Sequence, residues 1–429
     1  MSSPPDRGDT PLDKVNDMKN EQNVSPQAMP LGFEWGAVKA GIKASGKLDV
    51  AVAVAAKSAN AAAMFTKNQL VAAPVTVGRR HLLSTSGRVG AVVVNAGNAN
   101  CATGQPGIDA CVQTCVAAAE TFHCIFDEVF PSSTGIIGVP FPTEKVIAAL
   151  PAVEAVLGST AAHGDMFATA IMTTDTKMKV ARAVVDVDGT EVRIFGTAKG
   201  AGMIHPQLGV PVGPPHATML VYLFTDLAAD SEELGDLLAP AIERSFNSIS
   251  IDGDTSTNDT VLLLASGASG VRLNLRSGEA FANALQLVCG SLAHQIVDDG
   301  EGVGHVVTLH ITGARTATEA KQVAKAIAHS PLCKTAWSSA DPNWGRLLAA
   351  AGYSGVEFDP SLVNITIGGQ PVFALGVRSP RFDEAATHAA MLEREYTIAL
   401  DLGQGAAECR FLTCDLTEEY VRINADYST

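Results

Sequence analysis

The chain has 429 residues, 47% hydrophobic and 17% charged, with a net charge of −15, enough for about two to three domain-sized cores. The 45 carboxylates against 30 Lys and Arg repel phosphate backbones and anionic lipid, which argues against nucleic acid and membranes as partners. No apolar run reaches the ~20 residues of a membrane span. Eight cysteines at 101, 111, 115, 124, 289, 333, 409 and 414 form no CxxC pair and no zinc-finger spacing. They read as buried small hydrophobes of a reduced compartment, with no metal or cofactor expected.

Residues 1–28 are polar and Pro/Ser/Asp-rich and read as a disordered tail. The tail lacks a signal peptide's apolar core and carries acids unlike a transit peptide, so the cytoplasm is the expected location. AVVVNAGNAN (91–100) is a buried strand running into an Asn/Gly turn, and 107–122 has helical spacing with Cys111 and Cys115 one turn apart. PSSTGIIG follows as a strand, then a helix headed by Pro142 and Thr143. Residues 180–196 predict a hairpin, because Asp188-Gly189 supplies the positive φ angles of a two-residue turn. Phe281, Leu285, Val288, Leu292 and Ile296 stripe one helix face. HVVTLHITG is a strand, TATEAKQVAKAIAH a helix, and NITIGGQPVF a second hairpin. The Gly-rich GEGVG at 300–304 follows a helix and precedes a strand, the reverse of a dinucleotide fingerprint. Hairpins beside helices predict a layered α/β fold with mixed, largely antiparallel sheets.

The stretch KGAGMIHPQLGVPVGPPHATML (199–220) holds the candidate chemistry. Four prolines stiffen the approach to Ala217-Thr218. A hydroxyl held after a small residue in this way can attack the preceding carbonyl, and scission would leave a threonine whose α-amine serves its own hydroxyl as base. The competing reading is an ordinary strand threonine. His216 is a weaker candidate proton carrier. The clusters GDTSTND (253–259) and DPNWGR (341–346) read as structural.

GAVKAGIKASGKLDVAV, AVVVNAGNAN, PSSTGIIG, AIMTTDTKMK, KGAGMIHP, HATML, SISIDGDTSTNDTVLLLASG, DGEG, DPNWGRLLAAAGYSG and CDLTEEYVRINADYST together resemble the glutamate N-acetyltransferases of arginine biosynthesis, also called ornithine acetyltransferases. The resemblance covers nearly everything from residue 30 onward. It implies an αββα-type sandwich plus a smaller α/β domain. It also implies cleavage between Ala217 and Thr218 into an α chain, whose folded part is 29–217 behind the 1–28 tail, and a β chain, 218–429, associating as two α and two β chains. The implied reaction transfers acetyl from N2-acetylornithine to L-glutamate through acetyl-Thr218, and some members also accept acetyl-CoA. Thr134 and Gly135 are the implied oxyanion hole, and Thr173 (with Thr174 the alternative), Lys199, Glu301, Asn424 and Thr429 the implied substrate contacts. One departure stands out: residues 209–216, GVPVGPPH, lengthen the loop before the junction. The alternative function is an aminopeptidase or amidase on a related self-processing scaffold.

Overall fold

The structure, a computed structural model, describes residues 28–209 and 219–426. The expected tail, Ala217, Thr218 and Thr429 lie outside the described residues, apart from Ala28 of the tail. The larger sheet contains β1 (Phe33–Val38), β2 (Val50–Phe65), β3 (Arg88–Asn98), β4 (Val129–Ile136), β5 (Lys179–Val187), β6 (Thr190–Lys199), β7 (Leu220–Thr225) and β8 (Thr260–Ala265). Its order is β4-β3-β2-β8-β7-β6-β5, with β1 also on β2. Among the described residues, only β3/β4 and β7/β8 pair parallel within it.

Strand β2 makes one sheet into two layers. Its first half pairs with β1 and β3 and its second half with β8, with a register break between Val54 and Ala59. Such irregularities bend a strand and increase its twist. The halves then face each other: Trp35 of β1 packs on Phe195 of β6 and Phe224 of β7, centroids 5.6 and 5.4 Å apart, though these strands share no ladder. Outside one layer lie α1 (Ala73–Ser84), α2 (Gly104–Thr121) and α3 (Thr143–Glu154), with Cys111 and Cys115 buried against Val50 and Val93. Helix α4 (Ala161–Ala170) buries Phe167 in the aromatic core between the layers. Outside the other layer lie α5 (Ser231–Glu243) and α6 (Leu275–Asp298), whose Leu285, Val288 and Leu292 cover Ile194 and Leu223. The expected αββα sandwich is therefore present.

Helix α6 corrects the reading that no segment could span a membrane. By length and composition it could, but its predicted stripe is spent on the core. The Asp188-Gly189 turn has φ of 51° and 83° and joins β5 to β6 as predicted.

The second unit is a six-stranded sheet ordered β12-β11-β10-β13-β9-β14. Its strands are β9 (Val306–Ala314), β10 (Asn364–Ile367), β11 (Gln370–Ala374), β12 (Val377–Arg378), β13 (Glu395–Asp401) and β14 (Ala407–Cys414). Helices α7 (Ala317–Ala328), α8 (Pro331–Ser338), α9 (Trp344–Gly352) and α10 (Glu384–Met391) accompany it. Ala320, Val323, Ala324 and Ile327 of α7 form the i, i+3, i+4, i+7 stripe that packs on this sheet. Helix α11 (Glu418–Asp426) then returns the chain to the sandwich.

Candidate active site

Lys199 ends β6 opposite Leu220, the first residue of β7, which in turn pairs with Thr260 of β8. The side chain is buried. Burial pushes its ammonium below the ordinary range; Asp175, Asp259 and Glu301 oppose that push and Lys179 adds to it. The surrounding acids work against the loss of charge that burial imposes.

Asp175 fixes the neighbouring backbone. It accepts from Gly200 N (2.7 Å), Thr173 N (2.9 Å) and Lys179 Nζ (2.6 Å). Lys179 also reaches Asp299 at 2.5 Å, and Asp299 accepts the amides of Thr176 and Lys177. One buried ion network thus ties the 173–177 turn, the end of β6 and the end of α6 together. Burial alone would raise the Asp175 carboxyl, but Lys199, Lys179 and the Gly200 amide hold it well below the usual carboxylate range.

Glu301 belongs to the same cluster. Its amide donates to Ala201 O at 2.8 Å, and its Oε2 accepts from Asn424 Nδ2 of α11 at 2.9 Å. Gly202 lies directly against the Glu301 carboxylate, where a Cβ would fall 2.6 Å from Cδ and displace the side chain. Thr417 donates to Gly302 O and Tyr420 reaches Asp252, which seats α11 beside the turn. The structure therefore gathers Thr173, Lys199, Glu301 and Asn424 around one end of β6.

Thr134 and Gly135 lie near the end of β4, Thr134 buried. Gly135 has φ of +132°, and a Cβ there would lie 2.5 Å from Asn98 N, so β3 and β4 approach this closely only over a glycine. Asn258 bridges this edge to β8, its side-chain amide donating to Ala99 O (2.6 Å) and Ser133 O (2.9 Å). Two residues on, Thr260 N donates to Met219 O at 2.9 Å. Thr134 and Gly135 are thus linked through Asn258 to the start of β7, and Lys199 is linked to it through the β6 ladder.

Sequence reasoning missed three groups. Asp259 is fully buried and both its carboxylate oxygens are without a hydrogen-bond partner among the described residues; burial raises its carboxyl well above the ordinary range and Lys199 opposes this. Its signal was a charge at the head of the apolar run TVLLLA. Lys43 donates to Leu48 O and Ala170 O, and burial pushes it down to about 8 against the pull of Asp49 and Asp175. The third is the Lys179 network, whose only local trace is the Asp175/Lys179 pairing of charges. The described residues hold no cluster suited to a metal ion.

The described geometry sets a buried lysine and the Glu301 carboxylate near one end of β6, with the Gly135 turn tied to the start of β7 through Asn258. Against known proteins, the ArgJ family model matches residues 34–429. An arginine biosynthesis bifunctional protein ArgJ from Thermus thermophilus is 44% identical over 404 residues, covering 94% of this chain and 99% of that protein. A protein of the same name from Dehalococcoides mccartyi is 39% identical over 420 residues, covering 96% and 100%. The crystal structure of a Bacillus halodurans arginine biosynthesis bifunctional protein is 39% identical, covering 49% of this chain and 100% of that one, with a TM-score of 0.47.

Proposed function

This chain belongs to the ArgJ family, and from that premise we propose that it transfers acetyl from N2-acetylornithine to L-glutamate, giving ornithine and N-acetylglutamate. It is an acyltransferase of arginine biosynthesis. The relatives' name, bifunctional, supports acetyl-CoA as a second donor.

In this reading the Thr218 hydroxyl first attacks the Ala217 carbonyl. The C–N bond breaks, the proton passes to the departing amine, and water hydrolyses the ester to leave chains 1–217 and 218–429. The freed α-amine, with an ordinary pKa near ~8, then accepts the hydroxyl proton in each turnover. Acetylornithine acylates Thr218 and ornithine departs with that proton on its α-amine. The α-amine of glutamate next attacks the ester and carries the acetyl away. Thr134 and Gly135 hold the oxyanion in both halves. Lys199 pairs with the substrate α-carboxylate, Glu301 with the side-chain ammonium of acetylornithine, and Thr173, Asn424 and Thr429 supply hydrogen bonds.

Scission fits the topology. The junction falls between β6 and β7, which remain paired from Ile194↔Thr225 to Lys199↔Leu220, while β8 stays on β2. The two chains are therefore interleaved in one sheet, and the resemblance to the family supports association of two such α/β pairs. The observation that carries the reading is the convergence of Thr173, Lys199 and the Glu301–Asn424 pair beside the strand that Thr218 precedes. It is tested by assaying acetylornithine plus glutamate and acetyl-CoA plus glutamate in parallel, with Thr218→Ala as control. Acetyl transfer in the wild type and none in the variant is expected. Undiminished transfer in Thr218→Ala overturns the nucleophile, and release of free acetate in place of N-acetylglutamate overturns the transferase.

A further inference from the structure

A second feature lies along the chain that leaves the Lys199 cluster. A cavity of about 830 Å³ opens between the end of α5, the middle of α6, α7 and β14, with residues 206–208 in its wall. Five cations line it: Lys67, Arg244, Lys321, Lys325 and Arg410. Only two acids do, and both are engaged: Glu243 with Lys321 and Asn247, Glu408 with His310. The lining therefore carries +3 (five positive, two negative) in a chain whose net charge is −15.

Lys67, Arg244 and Lys325 have no ion-pair or hydrogen-bond partner among the described residues. Burial, reinforced by Lys321, holds the Lys325 ammonium below its ordinary range. Like charges crowded into a concave, half-buried site repel one another, and an anion relieves that repulsion. Pro206, Leu208 and Leu287 add apolar wall, so the cavity offers surface for a flat ring beside cations for phosphates.

We propose that this cavity binds phosphate-bearing nucleotides, and that it seats the nucleotide end of the acetyl-CoA donor. Coenzyme A carries a pyrophosphate, a ribose phosphate and an adenine ring, which match several cations and an apolar wall better than a single small anion does. Acetylornithine carries no phosphate and has no use for this cavity. The inference rests on acetyl-CoA being a donor, as proposed above.

The test uses the mature full-length enzyme and calorimetric titration with adenosine 3′,5′-bisphosphate, coenzyme A and inorganic pyrophosphate. Wild type is compared with Lys67→Gln, Lys325→Gln and the double variant. The nucleotides should bind the wild type, each substitution weakening them about tenfold, as loss of one charged hydrogen bond does. The KM for acetyl-CoA should rise in step, while acetylornithine–glutamate exchange stays within about twofold and serves as the folding control. Nucleotide binding that is absent, or unchanged in the double variant, overturns the proposal. Pyrophosphate binding that excludes the nucleotides overturns the assigned occupant and leaves an inorganic anion in its place. Lysine-dependent nucleotide binding without acetyl-CoA turnover upholds the site and overturns only the second donor.

Discussion

Replacing Lys179 by methionine should unbalance the centre of the molecule. The ammonium is 1% exposed and sits between carboxylates 0% and 2% exposed, 2.6 Å from Asp175 and 2.5 Å from Asp299. Removing it leaves buried Asp175 with Lys199 and two backbone amides, and buried Asp299 with two backbone amides and Thr176 and, among the described residues, no cation in contact. Breaking a buried pair from one side costs about 3–5 kcal/mol. At about 2 °C per kcal/mol for a large domain, Tm should fall by about 6–10 °C in thermal denaturation at pH 7. Lys177→Met is the control: its pair with Asp298 is exposed, and its loss should cost under ~1 kcal/mol. The pH dependence has a definite sign. The depressed Asp175 carboxyl contributes stability above its unfolded pKa of about 4, and that contribution is lost as pH falls through the folded value. The gap between wild type and Lys179→Met should therefore narrow under acid conditions. A Tm within about 2 °C of wild type at pH 7 would refute the reasoning.

Other substitutions separate the roles. Gly135→Ala must push β4 from β3 against Asn98 and should lower kcat for acetyl transfer about 100-fold or more; a wild-type kcat in steady-state assays would remove the oxyanion assignment. Glu301→Gln should raise the KM for acetylornithine about tenfold while leaving that for glutamate within about twofold. Equal effects on both substrates would take the ammonium away from Glu301. Asp259 titrates above its unfolded value, so its stabilising contribution is present at low pH and is lost as pH rises through the folded pKa. Asp259→Asn should therefore gain stability relative to wild type at pH 8 compared with pH 5, and melting curves showing the opposite trend would mean that Asp259 is ionised and paired.

Local chemistry explains what was legible in the chain. Asp188-Gly189 had to be a turn because few other pairs tolerate positive φ twice, and α6 announced itself through a stripe of five apolar residues from Phe281 to Ile296. The Thr134-Gly135 segment stood out as a motif, yet the need for glycine at 135 comes from Gly97 and Asn98, which no local pattern places there. The Lys179 network joins residues 120 apart, and its Asp175/Lys179 half has helix-like spacing in a segment that is turn and strand. The burial of Lys199 was not legible, because it depends on neighbouring elements distant in sequence. The bend of β2 was equally hidden: VAVAVAAKSANAAAMF reads as one apolar strand, and only its change of partners shows that it turns one sheet into two layers.

The central claim is that Thr218 becomes a chain terminus and carries the acetyl group. Intact-mass spectrometry of the active enzyme, mixed with acetylornithine and no glutamate, tests it most directly. The account predicts two polypeptides, ending at Ala217 and beginning at Thr218, with one added acetyl group on Thr218 that disappears when glutamate is supplied. A single uncut 429-residue chain that still transfers acetyl, or an acetyl group trapped on any other residue, would contradict it.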